Sequence, residues 1–123
     1  MKATDRVNQL KRALKERILV VDGAMGTFIQ DMNLSADDFG GTQYEGCNEY
    51  LNLTNPDAIR FIHRQYIEAG SDILETNSFG STPLVLAEYG LGDKAYEISK
   101  ASALLARETV DRYGTPDKTI FVA

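Results

Sequence analysis

Residues 17–27, with the sequence RILVVDGAMGT, constrain the fold of this chain more than any other segment. Four consecutive aliphatic residues at 18–21, three of them β-branched, predict a short strand buried on both faces. The strand ends at Asp22. Because carboxylates are rarely buried without partners, Asp22 is expected either to cap the following turn or to hold a ligand. Gly23 and Gly26 favour the ligand, since a backbone without Cβ atoms lets a small molecule approach closely.

The composition is that of a globular protein, and it excludes several classes of function. The 123 residues are 43% hydrophobic and 25% charged, with a net charge of −5, and they predict one domain at most. No basic patch stands out, which argues against a nucleic-acid or anionic-membrane surface. No apolar run approaches the roughly 20 residues of a membrane-spanning helix, so we expect a cytoplasmic protein. The single cysteine, Cys47, excludes an internal disulfide and fits a reducing compartment.

Helical and strand patterns alternate along the chain. Strands are predicted at 18–21, 71–77 and 118–123. Residues 37–50 are expected to form an irregular loop pinned by the aromatic residues Phe39, Tyr44 and Tyr50. Five helices are predicted: one capped by Thr4 or Asp5, one over 27–32, one over 55–69 opened by Asn55 and closed by Gly70, one over 82–90 opened by Thr82, and one from Asp93 to the residue before Gly114.

This alternation predicts an α/β fold made of right-handed βαβ units around a parallel sheet. A doubly wound sheet is disfavoured, because its GxGxxG fingerprint is absent after the first strand. A (β/α)8 barrel fits better, since its reactive groups lie at the C-terminal ends of strands, where Asp22 and Asn77 fall. A complete barrel needs about 250 residues. We therefore expect a truncated barrel consisting of its first three β/α units.

Four motifs resemble those of one known family. They are ILVVDGAMGT at 18–27, GCNEYLNLT at 46–54, IEAGSD at 67–72 and ETNSF at 75–79. In this order and spacing the chain resembles the N-terminal homocysteine-binding barrel of cobalamin-dependent methionine synthases, within the homocysteine S-methyltransferase family. The resemblance implies that residues 1–123 form the first part of that barrel. The rest of the barrel and any folate and cobalamin domains are expected to lie outside this sequence.

The resemblance also implies a reaction and its cofactors. In this family a methyl group passes to the sulfur of homocysteine, giving methionine. In the cobalamin-dependent form the donor is methylcobalamin, recharged by 5-methyltetrahydrofolate. The nucleophile is a thiolate, and the family obtains it with Zn²⁺ held by three cysteines of later strands, because a coordinated thiol loses its proton near neutral pH. We therefore expect the zinc ligands outside this chain, which makes the fragment inactive alone, and we assign it no catalytic or metal-binding residue.

Five substrate-binding residues follow from the matching positions. Asp22 is expected near the α-ammonium of homocysteine, where a charge-assisted pair forms. The amides of Gly23, Ala24 and Met25 are candidates for its carboxylate, and the Asn77 amide group is a candidate for a neutral hydrogen bond. The alternative for Asp22 is a cap on its own turn, through the N–H of Ala24 or Met25.

Three further residues remain open at this point. Glu75 shares a face with Ile73 and Asn77, so that it needs a partner if that face is buried. Cys47 lacks neighbouring ligands and is expected to be a packed thiol. His63, the only histidine, is expected on the surface or between packed helices rather than in catalysis.

Two alternative functions also remain open. A homocysteine methyltransferase that uses betaine or S-methylmethionine as donor shares these motifs, and it differs in lacking folate and cobalamin domains. A non-catalytic interaction module is the alternative from another class. Three parallel strands leave an open edge, so we expect the fragment to pair with a partner or to aggregate. A monomer of this length with a cooperative melt would favour the module.

Overall fold

The computed structural model describes residues 2–123 as a helix-rich α/β structure. Four single 3₁₀ turns connect the main elements, at Thr42–Tyr44, Asn48–Tyr50, Ala87–Tyr89 and Gly92–Lys94. The helices and strands are α1 (Ala3–Glu16), α2 (Gly26–Asp31), α3 (Leu51–Thr54), α4 (Pro56–Ala69), β1 (Ile73–Leu74), α5 (Pro83–Leu86), α6 (Ala95–Tyr113) and β2 (Phe121–Val122).

The sheet is parallel. β1 pairs with β2 so that Ile73 lies opposite Phe121, and Val21 forms a parallel bridge to Ile73 on the other side of β1. Of the predicted strands at 71–77 and 118–123, only two central residues each form a strand, as β1 and β2. The first predicted strand is reduced to one bridge within the described residues, so the expected count of three β/α units is not confirmed.

The prediction that residues 18–21 are buried on both faces is wrong for this structure. Ile18 is 89% exposed and Val20 is 56% exposed. The segment is held from one side, where the Val20 carbonyl accepts hydrogen bonds from the N–H groups of Asp72 (2.8 Å) and Ile73 (3.1 Å). Burial on a second face needs another packed element, and residues 2–123 supply none there.

The main core lies between α4 and α6. Pro56 opens α4, and Gly70 closes it in the left-handed conformation (φ 102°), both as predicted. The apolar face of α4 is buried at Ala58, Ile59 and Ile62, whereas Ala69 at the end of the helix is exposed. The largest buried cluster consists of Ile29, Phe39, Leu51, Ile59, Ile62 and Leu105.

The predicted helix caps are only partly correct. Thr82 caps α5, accepting a hydrogen bond from Val85 N (3.2 Å). Asn55 precedes α4 but donates to Asp38 Oδ1 (3.2 Å) instead of capping the helix. Asp93 lies in a 3₁₀ turn and provides no side-chain cap for α6. Likewise α1 begins at Ala3, so Thr4 and Asp5 lie inside it and are not its caps.

The loop at 37–50 is ordered by aromatic packing, as predicted. Phe39 is buried. The rings of Tyr44 and Tyr50 meet edge to face, with centroids 4.8 Å apart, a geometry that adds to the energy of burial. This loop leads directly into α3 and brings Asn48 and Glu49 to the sheet.

Asp72 ties three segments together at the N-terminal end of β1. Its buried carboxylate accepts hydrogen bonds from Arg17 Nη2 (2.8 Å) and from Val20 N (2.8 Å), and Lys118 Nζ lies 3.3 Å away. The hydrogen bond from Arg17 is the main reason that the pKa of Asp72 lies well below its usual range. Asp72 therefore fixes residues 17–20 and the start of the last strand against β1, whose other end carries the candidate site.

Candidate functional site

A cavity of about 460 Å³ lies at the C-terminal end of the sheet. All five residues predicted to bind substrate line it, and they come from two segments that are about fifty residues apart in the chain. The structure thus brings these residues together, while their role stays a prediction. The lining consists of Asp22, Gly23, Ala24, Met25, Gly26, Asn48, Glu49, Glu75, Thr76, Asn77, Ser78 and Phe79.

Asp22 is held by the neighbouring strand segment. Its Oδ1 accepts a hydrogen bond from the main-chain N–H of Glu75 (3.0 Å), and its own N–H donates to the Ile73 carbonyl (2.9 Å). The alternative in which Asp22 caps its own turn through Ala24 or Met25 is therefore wrong. Sequence alone did not indicate the bond to Glu75, because it depends on the register between two strands.

Burial raises the pKa of Asp22 to about 6, and the charge of Glu75 adds to this effect, while the hydrogen bond from Glu75 N opposes it. The carboxylate is consequently ionised at neutral pH but less stable in that form than it would be in water. A cationic group in the cavity would relieve this cost.

The turn at Gly23, Ala24 and Met25 presents free amide groups. None of its three N–H groups donates a hydrogen bond to another residue within 2–123. The Ala24 carbonyl accepts a hydrogen bond from the hydroxyl of Tyr66 (2.7 Å). A Cβ atom on Gly23 would lie 3.1 Å from that hydroxyl oxygen, so a larger residue here would require Tyr66 to shift by a few tenths of an ångström. Free N–H groups beside a cavity can bind an anion such as a carboxylate.

Asn77 is more constrained than the sequence indicated. It is 5% exposed, and its Nδ2 donates to the Asn48 carbonyl (2.9 Å) and to Asn52 Oδ1 (3.0 Å). Asn52 Nδ2 in turn donates to the Asn77 carbonyl (2.9 Å). Both donor hydrogens of Asn77 are thus used within the protein, which leaves only its Oδ1 as an acceptor for a ligand. We call Asn52 and Asn77 the amide pair.

Two glutamates complete the cavity wall. Glu49 Oε1 accepts a hydrogen bond from Gly80 N (3.0 Å). Glu75 lines the cavity with an exposed side chain, so the condition of burial, under which it would need a partner, is not met. Sequence reasoning missed Glu49 and Asn52, although both lie in the GCNEYLNLT motif.

Asp22, Glu49 and Glu75 give the lining three carboxylates, and no lysine or arginine lies among the lining residues. The cavity is therefore suited to a cationic group.

The described residues do not fit a zinc site. Within residues 2–123, no group of three or more His, Cys, Asp or Glu side chains is arranged to hold a metal ion. Cys47 is buried and packs in a cluster with Leu86, Leu91 and Ile98. Burial raises the pKa of its thiol, which disfavours the thiolate that zinc binds. Cys47 is thus a packed thiol, as expected.

His63 lies in the core and away from the cavity. Its side chain is fully buried, and neither ring nitrogen has a hydrogen-bond partner within the described residues. Burial lowers its pKa to about 4, so the ring is neutral at physiological pH. Of the two roles left open for His63, helix packing is the one that the structure supports.

Comparisons with known sequences point to one family. The family model "Homocysteine S-methyltransferase" matches residues 19–123. A methionine synthase of Mycobacterium leprae is 46% identical over 113 residues, which cover 92% of this chain and 9% of that protein. A methionine synthase of Mycobacterium tuberculosis is 45% identical over 109 residues, which cover 89% of this chain and 9% of that protein. The chain therefore spans 9% of the length of these two relatives.

Solved structures give a consistent result. The crystal structure of the homocysteine methyltransferase MmuM from Escherichia coli, in its oxidized form, matches with a TM-score of 0.75 and 28% identity, covering 93% of this chain and 39% of that one. The metallated form of MmuM matches with a TM-score of 0.71 and 26% identity, covering 89% of this chain and 38% of that one. Within the described residues, no helix is both long and apolar enough to cross a membrane.

Proposed function

The chain belongs to the homocysteine S-methyltransferase family, and we propose that the protein that contains it transfers a methyl group to the sulfur of homocysteine, giving methionine. The observation that carries the proposal is the cavity at the end of the sheet. It brings together the carboxylate of Asp22, the three free N–H groups at 23–25 and the side-chain oxygen of Asn77. An amino acid carries the complementary groups, an ammonium and a carboxylate.

Asp22 is the proposed partner of the homocysteine ammonium. Its Oδ1 is oriented by Glu75 N, and within the described hydrogen bonds its Oδ2 has no donor. Glu49 and Glu75 add negative charge to the same cavity. Because burial disfavours the isolated carboxylate of Asp22, a charge-assisted bond to an ammonium gains more here than it would in water.

The amides of Gly23, Ala24 and Met25 are the proposed partners of the homocysteine carboxylate. They lie beside Asp22 along the turn, so the two charged ends of an amino acid can be bound by adjacent residues. Because Asn77 Nδ2 already donates to Asn48 and Asn52, we assign only the Oδ1 of Asn77 to the substrate. This chain thereby fixes the amino-acid end of homocysteine and leaves its sulfur free to point away.

Activation of the sulfur is assigned to other parts of the protein. A free thiol has a pKa of about 8.5 and attacks as a thiolate, so a neutral solution needs a group that removes the proton. The described residues do not fit a zinc ion. We propose that the Zn²⁺ ligands lie outside residues 2–123. Binding and orientation are the contributions of this chain.

The fold extends this proposal. We propose that the described residues are the first three β/α units of a (β/α)8 barrel, with Val21, β1 and β2 marking successive parallel strands. The structural likeness to part of MmuM supports it. The exposed side chains of Ile18 and Val20 are also consistent with a sheet that continues beyond them, in the part of the barrel outside this sequence.

The methyl donor is proposed from the sequence relatives. The identity to two methionine synthases favours methylcobalamin, recharged by 5-methyltetrahydrofolate in domains outside this chain. A donor such as S-methylmethionine or betaine is the second candidate, because the matching family model names homocysteine S-methyltransferases without specifying a donor.

The test uses the protein encoded by the complete reading frame that contains this sequence. Methionine formation from homocysteine is measured with 5-methyltetrahydrofolate and cobalamin, with S-methylmethionine and with betaine in separate reactions. We expect product with the first donor system. Product with only one of the other donors would support the second candidate, and no methionine with any donor would contradict the proposed function.

A further inference from the structure

Tyr66 of α4 lies beneath the turn that follows Asp22. Its hydroxyl donates a hydrogen bond of 2.7 Å to the Ala24 carbonyl. Its ring packs edge-on against Phe28, with centroids 5.6 Å apart, so the hydroxyl is held at the end of a fixed side chain. Tyr66 is absent from the cavity lining, and any effect on a ligand must pass through the turn.

The bond to Ala24 fixes the direction of the next amide. In a trans peptide the C=O and N–H groups point in opposite directions. Because the Ala24 carbonyl points toward Tyr66, the N–H of Met25 in the same peptide points away from Tyr66. Met25 lines the cavity, and its N–H has no acceptor within the described residues. The hydroxyl of Tyr66 thus holds the Ala24–Met25 peptide in one orientation, and the Met25 N–H of that peptide remains free to donate to a ligand.

Gly23 shows how closely the hydroxyl approaches the turn. A Cβ atom at position 23 would lie 3.1 Å from Tyr66 Oη and 3.5 Å from Tyr66 Cε1. A side chain there would require the hydroxyl or the turn to shift by a few tenths of an ångström. The absence of a side chain at Gly23 therefore leaves room for the Tyr66 hydroxyl beside the turn.

We propose that Tyr66 is a positioning residue for the carboxylate of homocysteine, acting through the Ala24–Met25 peptide. This inference rests on the proposed function, in which the turn amides bind that carboxylate. Without the hydroxyl, the peptide can rotate and the Met25 N–H is no longer directed at the ligand. Binding of the carboxylate weakens, while contacts to the ammonium and the sulfur remain.

The test compares two ligands on the protein from the complete reading frame. One ligand is L-homocysteine, and the other is 3-aminopropane-1-thiol, which keeps the amine and the thiol but lacks the carboxylate. The variant is Tyr66→Phe, which removes only the hydroxyl. Tyr44→Phe is the matched control, since Tyr44 is also partly buried and packs in the core, but its hydroxyl makes no hydrogen bond within the described residues.

We expect Tyr66→Phe to raise the dissociation constant of homocysteine about fivefold, the scale of one neutral hydrogen bond, and to leave that of 3-aminopropane-1-thiol unchanged. Tyr44→Phe should change neither constant. If Tyr66→Phe folds poorly, Gly23→Ala provides a second test, because the added methyl group would lie 3.1 Å from the hydroxyl oxygen and would require a shift that lengthens its bond to Ala24. It should produce the same carboxylate-selective loss.

Three results would overturn the inference in distinguishable ways. Equal affinity of Tyr66→Phe and the wild type for homocysteine would show that the hydroxyl does not position the turn. Equal losses for both ligands would show that Tyr66 only supports the fold. A wild-type protein that does not prefer homocysteine over 3-aminopropane-1-thiol would contradict the proposed function itself, because the turn amides would then bind no carboxylate.

Discussion

The main-chain N–H of Glu75 donates a 3.0 Å hydrogen bond to Asp22 Oδ1. A carboxylate at the end of one strand segment is therefore oriented by the backbone of the next strand, fifty-three residues later in the chain. The bond occupies one oxygen of Asp22, and the other oxygen accepts no hydrogen bond from the described residues. Because the donor is a backbone group, no substitution of Glu75 other than proline removes it directly.

The first prediction concerns the cost of the Asp22 charge. The folded-state pKa of Asp22 is about 6, above its ordinary value of 3.8. Its favourable contribution to stability is therefore present below pH 3.8 and lost as the pH rises through 6. We expect Asp22→Asn, which can still accept from Glu75 N, to melt no lower than the wild type at pH 7.5. A lower melting temperature for Asp22→Asn at pH 7.5 would contradict the conclusion that the Asp22 charge destabilises the folded state.

The second prediction concerns Asp72. Asp72→Ala leaves Val20 N and Lys118 without their carboxylate, and we expect a loss of about 2 kcal/mol in the free energy of unfolding. Asp57→Ala is the control, because Asp57 forms an equally short ion pair with Arg60 (2.7 Å) on the surface, where such pairs contribute little. Urea denaturation at pH 7.5 measures both variants. Equal losses would refute the structural role of Asp72.

Asp72 also has a defined pH dependence. Its pKa is lowered in the folded state, chiefly by Arg17, so its contribution to stability is present above its ordinary pKa of 3.8 and is lost as the pH falls below that value. The difference in melting temperature between the wild type and Asp72→Ala should therefore narrow below pH 3.8. A difference that stays constant down to pH 2 would contradict the pairing with Arg17.

The third prediction concerns His63. The unfolded chain binds a proton at the ordinary pKa of 6.5 and the folded chain at about 4, so stability contributed by His63 is intact above pH 6.5 and falls between 6.5 and 4. His63→Leu removes two unpartnered ring nitrogens. We expect this variant to lose less stability than the wild type when the pH is lowered from 7.5 to 4.5. If thermal melts show that His63→Leu and the wild type lose the same stability between pH 7.5 and 4.5, His63 is not the source of that loss.

The fourth prediction concerns the amide pair. Asn52→Ala removes the donor to the Asn77 carbonyl and the acceptor of Asn77 Nδ2, and buried groups left without partners cost about 1–3 kcal/mol each. We expect faster hydrogen exchange in the backbone of residues 46–54 and 75–80. The segment around Arg60 should exchange as before and serves as the internal control. Unchanged exchange at 46–54 would show that the pair does not hold this loop to the sheet.

Local signals in the sequence predicted those parts of the structure that depend on neighbouring residues. Pro56 and Gly70 bound α4 because one fixes φ and the other adopts a left-handed conformation. Asp22 and Asn77 were placed at one end of a sheet because the C-terminal ends of parallel strands share an edge. The cavity contains both residues.

Features that depend on contacts between distant segments could not be predicted in this way. Asp72 forms ion pairs with both Arg17 and Lys118, which lie 101 residues apart in the sequence. No local sequence pattern indicates these two ion pairs. The exposure of Ile18 and Val20 depends on which elements are available to cover them, whereas their β-branched pattern only indicates a strand. The use of the Asn77 donors by Asn48 and Asn52 likewise depends on how a loop packs against the sheet.

The most direct test of the proposed site is calorimetric titration of L-homocysteine into the protein from the complete reading frame and into its Asp22→Ala variant at pH 7.5. A charge-assisted hydrogen bond to the ammonium contributes about 1.5–3 kcal/mol, so we predict that Asp22→Ala raises the dissociation constant at least tenfold while the zinc content of the protein stays the same. An unchanged dissociation constant for Asp22→Ala would contradict the proposal that this cavity binds the amino-acid end of homocysteine.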